Sequence, residues 1–106
     1  MQKLTTELKL NVGGFLEFMT LKMLADRTLS AEEISSRLAS IGFKVPMGTL
    51  YPLLSRFRAK GFVMRDYEES ETGTALRTYD LTAKGRSRLR DLRTDWNRLN
   101  SAIASL

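Results

Sequence analysis

Val45-Pro46-Met47-Gly48-Thr49-Leu50-Tyr51-Pro52-Leu53-Leu54-Ser55-Arg56-Phe57-Arg58-Ala59-Lys60-Gly61-Phe62-Val63 is the stretch that decides the fold. Leu50, Leu53, Leu54 and Phe57 recur at steps of three, one and three, which gives a helix one apolar face. Proline lacks an amide hydrogen and is tolerated in the first helical turn, so Pro52 predicts an N-cap at Gly48 or Thr49. Gly61 predicts the end of the helix, because glycine adopts the positive φ of a C-terminal cap at little cost. At about 100° per residue, the face opposite the leucines centres on Gly48, Pro52, Ser55 and Ala59. Tyr51 and Arg58 flank this ridge of small residues on one side, Thr49 and Arg56 on the other. Such a helix can lie close in a nucleic-acid groove and offer donors along its edges. Taken alone, it reads equally well as a surface helix that carries two arginines.

The residues that follow separate the two readings. Phe62 to Glu69 is strand-like, Ser70-Glu71-Thr72-Gly73 is turn-like, and Thr74 to Leu81 is strand-like again. A helix that runs directly into a hairpin is the sequence shape of a winged helix-turn-helix. The run Gly48-Thr49-Leu50-Tyr51-Pro52-Leu53-Leu54-Ser55-Arg56, followed by Lys60-Gly61, Glu69-Ser70 and Tyr79-Asp80-Leu81-Thr82-Ala83-Lys84-Gly85, resembles the PadR family of transcriptional regulators. The similarity extends from Gly14 to Leu99. It implies a mainly α protein with a small β-hairpin, a winged helix-turn-helix plus a C-terminal dimerisation helix. It also implies a homodimer that binds double-stranded DNA, most often as a repressor. On this reading residues 1–81 form the DNA-binding region, with the N-terminal helix also in the dimer contact. Residues 82–106 form the dimerisation helix, and the whole is one structural domain. Family members often carry a Gly-Tyr pair where this chain has Ala31-Glu32, a departure that bears on helix packing.

With 106 residues there is room for one modest core, and a chain of this size often gains stability by dimerising. The sequence has no cysteine and no histidine, which excludes zinc sites and thiol chemistry and leaves a serine triad without its base. No metal or cofactor is expected, and no enzyme. No apolar run approaches the roughly 20 residues that span a bilayer, and the first residues lack a signal-peptide profile, so a cytoplasmic protein is expected. The net charge of +5 is unevenly distributed. Residues 1–43 are balanced. Residues 44–65 hold Lys44, Arg56, Arg58, Lys60 and Arg65 with no acid, whereas residues 66–80 hold Asp66, Glu68, Glu69, Glu71 and Asp80 against Arg77. Basic charge rises again over residues 81–106. Cations gathered on the suspected recognition helix and the last helix suit a polyanion.

Along the chain, Leu4, Leu8, Val12, Phe15, Met19 and Met23 mark a first helix through Ala25. Gly13-Gly14 either bends it or leaves ordered helix to start near Asn11. Asp26 to Leu29 reads as a short connection. Ser30-Ala31-Glu32-Glu33 is a capping box, after which Ile34, Leu38 and Ile41 line a helix that ends at Gly42. In the wing, the acidic run Glu68-Glu69-Ser70-Glu71 would repel phosphate, and Arg77 is the one basic candidate there. Tyr79 and Leu81 share a strand face and are expected in the core.

Thr82 is the expected N-cap of the last helix. Leu89, Leu92, Trp96, Leu99, Ile103 and Leu106 follow at alternating steps of three and four, a heptad seam that needs a partner surface. With Leu8 and Phe15 of the first helix, the residues Leu89, Leu92, Trp96, Leu99 and Ile103 are the candidate dimer interface. Trp96 either packs against the first helix or forms an aromatic wall at the dimer centre. In the second case Leu92, Trp96 and Leu99 would receive a small aromatic effector. The candidate base-edge residues are Thr49, Tyr51, Ser55 and Arg56, and the candidate phosphate contacts are Lys44, Arg58, Lys60 and Arg77. The reading is a regulator that binds a pseudo-palindromic operator as a homodimer. Its rival is a winged helix used as a protein-interaction or dimerisation module without sequence-specific DNA binding.

Overall fold

The structure, a computed structural model, describes residues 12–69 and 71–106. In chain order these form α1 (Val12–Asp26), β1 (Leu29–Ser30), α2 (Ala31–Ser40), α3 (Met47–Ala59), β2 (Val63–Glu69), β3 (Ala75–Leu81) and α4 (Ala83–Ala104). The result is the mainly helical winged helix that the pattern predicts. Leu4 and Leu8 lie outside the described residues.

Helix ends follow the residues beside them. At the start of α2 the Glu33 amide donates to Ser30 Oγ at 3.1 Å, and the Ser30 amide donates to the Glu33 carboxylate at 2.9 Å. The capping box is therefore complete. At its other end Gly42 has φ 96°, and Phe43 and Gly42 return their amides to the carbonyls of Leu38 and Ala39 at 2.8 and 3.0 Å. Ile34 and Leu38 are buried as expected, but Ile41 is 61% exposed. Ile41 is the cap residue, with non-helical φ and ψ, so it leaves the phase of the face that precedes it.

α3 begins earlier than proline chemistry alone suggests. Its N-cap is Pro46, not Gly48 or Thr49, and Pro52 stands inside the helix. Thr49 and Leu50 both donate to the Pro46 carbonyl, at 2.9 and 3.1 Å, and these bonds hold the first turn. Pro52 can stay because the carbonyl that loses its donor belongs to Gly48, an exposed residue with open space around it. The predicted end is observed. Gly61 has φ 78°, its amide reaches the Arg58 carbonyl at 3.0 Å, and the Phe62 amide reaches the Phe57 carbonyl at 2.8 Å. That pair of bonds turns Phe62 back until its ring lies 6.1 Å from the Phe57 ring, the apolar contact that usually accompanies this cap.

One residue then ties three elements together. The Thr82 amide donates to the Phe62 carbonyl at 3.0 Å, and its hydroxyl donates to the Gly61 carbonyl at 2.6 Å. The same hydroxyl accepts the Gly85 amide at 3.0 Å as N-cap of α4. Gly85 must lack a side chain, because a Cβ there would run into the Phe62 carbonyl and come within 2.6 Å of Leu81 Cδ1.

Between these anchors β2 and β3 pair in register from Val63↔Leu81 to Glu69↔Ala75. Gly73, at φ 83°, helps turn the hairpin. A third strand was not expected. Leu29 and Ser30 pair with Tyr79 and Thr78, so the sheet order is β1-β3-β2, and part of the supposed connection is strand. Two residues are too few for alternation to show in a sequence.

The described part of α1 runs Val12–Asp26, and the expected start near Asn11 lies outside the described residues. Its deepest residues are Thr20, Leu21 and Leu24, while Phe15, Met19 and Met23 are only half-buried. The helix is apolar on most sides, so spacing alone does not fix which side faces the core. α1 packs on β3 and on α4, where Arg88 makes a two-point bridge to Glu17 at 2.9 and 3.1 Å. That hydrogen bond, aided by the carboxylate charges of Glu17, Asp91 and Asp95 and opposed by burial, raises the Arg88 pKa above its ordinary value. Leu89 and Leu92 of α4 are buried in the same core.

The Thr82 anchor gives the first expectation. Gly85→Ala should cost about 1–3 kcal/mol through overpacking, and Thr82→Val about 1–2 kcal/mol through the lost cap and hydrogen bond. Urea denaturation of both variants checks this, and a change below about 0.5 kcal/mol for Gly85→Ala would contradict the packing described. Thr20 and Thr78 behave in the opposite sense. Among the described residues their buried hydroxyls find no hydrogen-bond partner, so Thr20→Val should leave stability unchanged or raise it.

Candidate nucleic-acid interface

α3 buries Leu50, Leu53, Leu54 and Phe57 and exposes the rest of its length. The exposed side carries the small residues Gly48, Pro52, Ser55 and Ala59. Around them stand Thr49, Tyr51, Arg56, Arg58 and Lys60, all of them exposed, with Lys44 exposed in the segment before the helix. Among the described residues, none of the α3 cations forms a salt bridge, and segment 44–65 contains no acid that could supply one. Their charge is therefore turned to solvent.

The sheet completes this face from the side. Successive side chains on a strand alternate, so Arg65 and Tyr67 of β2 share one face with Tyr79 and Arg77, their partners on β3. Arg65 lies 5.7 Å from the centre of the Tyr67 ring. It also borders a 500 Å³ cleft with Ser55, Arg58 and Ala59 of α3. Arg77 and Tyr67 border a second cleft, of 420 Å³, with Tyr51 of α3 and with Ala31 and Glu32 of α2. Asp66, Glu68 and Asp80 fall on the opposite face of the sheet, and Thr28 donates a hydrogen bond to Asp80 there. The acidic wing is thus two-sided, with Glu69 the one strand acid on the basic side.

Two residues missed by the sequence reading matter here. The sequence alone gives Arg65 no role, but β2 leaves the end of α3 so directly that Arg65 borders one cleft with Arg58. Glu32 accepts a hydrogen bond from the Tyr51 hydroxyl at 2.7 Å. No sequence signal links these two residues, which are 19 positions apart on different helices. The hydrogen bond to Glu32 is the main cause that raises the Tyr51 pKa above its usual value near 10, with desolvation and the carboxylate charge adding to it and Arg77 opposing. Tyr51 therefore remains protonated throughout the neutral range.

The structure brings together Tyr51 with Arg77, and Ser55 with Arg58. Thr49, Arg56, Lys60 and Lys44 are exposed and line neither cleft.

The expected dimer seam divides in two. Leu92 is only 2% exposed and Leu89 is likewise buried, so both belong to the chain's own core and are not available to a partner. Trp96 and Leu99 are half-buried, and Ile103 is 58% exposed. Trp96 meets the first helix, its ring edge-on to Phe15 at 5.6 Å between centres. The two rings also border an apolar pocket of 450 Å³ with Phe18, Met19 and Phe43. Leu92 and Leu99 do not line that pocket, because Leu92 turns into the core and α1 supplies the opposite wall.

Among the described residues, no group of His, Cys, Asp or Glu could hold a metal ion, and no helix is long and apolar enough to cross a membrane.

A two-helix motif with a basic outer helix, braced by a hairpin, defines a winged helix-turn-helix. Residues 20–91 match the Transcriptional regulator PadR-like family, and the chain belongs to that family, a class of regulators rather than of enzymes. A PadR-like transcription factor from Bacteroides fragilis is 33% identical and superimposes with a TM-score of 0.77, covering 87% of this chain and 89% of that one. A PadR-like transcriptional regulator from Bacillus cereus is 25% identical with a TM-score of 0.81, covering 89% and 92%. A Streptococcus transcriptional regulator at 24% identity and TM-score 0.82 shares the fold over 89% of this chain and 93% of its own. No curated protein matches the chain significantly.

The Tyr51 contact generates a direct check. Glu32→Gln should lower the ionisation midpoint of Tyr51, because a neutral amide no longer penalises the phenolate. Ultraviolet difference titration against Tyr51→Phe isolates this tyrosine from Tyr67 and Tyr79, and an unmoved midpoint would mean that the bond does not persist in solution.

Proposed function

We propose that the protein is a repressor that binds a pseudo-palindromic operator as a homodimer, each α3 entering a major groove with half-sites about 10 base pairs apart. The observation that carries this reading is the exposed side of α3. It is narrow enough along Gly48, Pro52, Ser55 and Ala59 to approach base edges, and unpaired cations rim it. Thr49, Tyr51, Ser55 and Arg56 are the base-edge residues. Lys44, Arg58, Lys60 and Arg77 take phosphates, and Arg65 joins them from β2. The sorting of wing charges supports a DNA contact, since Asp66 and Glu68 point away from the side shared with α3.

Dimerisation uses what remains exposed of the last helix. Trp96, Leu99 and Ile103 continue the seam past the point where the chain's own core ends, and an apolar strip of this kind is stabilised by a second copy. Residues 82–106 therefore act in both roles, as a wall of the domain and as a contact between subunits. An apolar or aromatic effector would enter beside Trp96 and Phe15. Phe43, which also borders that pocket, lies in the segment leading to α3, so occupancy there would bear on the recognition helix.

For the dimer, Leu99→Glu with Ile103→Glu should yield folded monomer by analytical ultracentrifugation, whereas Leu92→Glu should unfold the chain. A wild type that sediments as a monomer at micromolar concentration contradicts the dimer. For DNA, log K against log salt should fall with a slope of about −5 to −7 per dimer. Arg56→Ala should cost about 1–3 kcal/mol and relax base preference, and Lys60→Ala should weaken all sequences alike and flatten the slope by about one unit. Salt-independent or undetectable binding to selected duplexes would favour the rival reading, a protein-interaction module.

A further inference from the structure

Tyr51 has one phenolic proton, and Glu32 holds it. The hydroxyl donates to Glu32 Oε2 at 2.7 Å, and an ionised carboxylate offers only acceptors, so the direction of this bond is fixed. Glu32 is itself well placed to keep that direction. It stands in the first turn of α2, where the helix N-terminus favours a negative charge, and the capping box of Ser30 and Glu33 fixes the turn. Ala31, its neighbour, is buried and pins the start of α2 to the core. Arg77 lines the same cleft and adds a positive charge without competing for the proton.

We propose that Glu32 sets the hydrogen-bonding polarity of Tyr51, so that the hydroxyl meets DNA only as an acceptor and selects an amino-bearing base, adenine or cytosine, in each half-site. The inference rests on the reading that α3 enters the major groove. Within that groove the acceptors are the N7 and O6 of guanine, the N7 of adenine and the O4 of thymine, while the donors are the N6 amino group of adenine and the N4 amino group of cytosine. A phosphate oxygen is also an acceptor. A hydroxyl whose proton is already engaged therefore gains nothing from phosphate, guanine or thymine, and gains a hydrogen bond from either amino group. The second oxygen of Glu32 prefers the same partners, since a carboxylate accepts from the cytosine amino group. Glu32 acts on Tyr51 as a positioning residue, and Tyr51 determines specificity.

The test is binding-site selection with the full chain, followed by affinity measurements on the selected operator. Wild type should enrich adenine or cytosine at one position per half-site. Tyr51→Phe should lose that preference alone, with affinity for the selected site falling about three- to tenfold, the scale of one hydrogen bond. Replacing the selected adenine by purine, or the cytosine by 2-pyrimidinone, removes only the amino group. It should weaken wild type by the same factor and leave Tyr51→Phe unaffected. Glu32→Gln can donate its own amide proton to the Tyr51 oxygen and release the phenolic proton, so guanine or thymine should become acceptable at that position. The inference is overturned if Tyr51→Phe keeps every preference of wild type, if the amino deletion costs both proteins equally, or if Glu32→Gln leaves the preference unchanged. Where Arg56→Ala still relaxes base choice in those cases, the groove reading survives and the role of Glu32 does not. A wild type that selects no duplex overturns both.

Discussion

The hydroxyl of Thr82 is the contact on which most of the molecule depends. It donates to the carbonyl of Gly61 at the end of α3 and accepts the amide of Gly85 at the start of α4, while the Thr82 backbone amide bonds Phe62. The end of one helix, both ends of the hairpin and the beginning of the next helix therefore meet within a few ångströms. Such a junction leaves no space for a side chain at Gly85, and it requires Gly61 to be in the left-handed region. Two glycines and one threonine, separated in sequence by the whole wing, form one joint. The orientation of the wing relative to α3 follows from it.

That orientation gives the candidate interface its chemistry. Because β2 leaves directly from the capped end of α3, Arg65 falls next to Arg58 and Arg77 falls next to Tyr51. The alternation of a strand does the remaining sorting, and sends Asp66 and Glu68 to the opposite side. A hairpin with an acidic composition can thus present a basic face. Charge counted along a segment is a poor guide to charge presented by a strand, since half of its side chains face each way.

Much of the fold was legible because its signals are local. The Ser30–Glu33 capping box, the stops at Gly42 and Gly61, the Thr82 cap and the turn around Gly73 each depend on a few neighbouring residues, and each is observed. What was not legible depends on distant partners. β1 exists because β3 passes beside Leu29 and Ser30. Leu89 and Leu92 fit a heptad as well as a core, and only the position of α1 assigns them to the core. Helical spacing grouped Thr49, Tyr51, Ser55, Arg56 and Arg58 about the side of α3 opposite its leucines, and all eight candidate residues are exposed. It gave no hint of Arg65 beside Arg58, nor of Glu32 engaging Tyr51 from another helix. The start of α3 was misjudged for a local reason, since an exposed glycine at position 48 tolerates the missing amide of Pro52.

Pro52 has one more consequence, for motion rather than for shape. The amide ladder of α3 has a missing rung there, and the first turn is held by the bonds from Thr49 and Leu50 to Pro46, with Leu50 its buried anchor. Beyond the gap, Leu53, Leu54 and Phe57 fasten the helix to the core. In hydrogen exchange the helix should therefore behave as two blocks, a leading turn that opens locally and a trailing segment that opens only with the domain. On that expectation the leading turn with Thr49 yields first, while Tyr51 stays tied to Glu32 of α2. Arg56 and Arg58 are held on the stiff part, so the two ends of the exposed side of α3 should differ in how readily they yield.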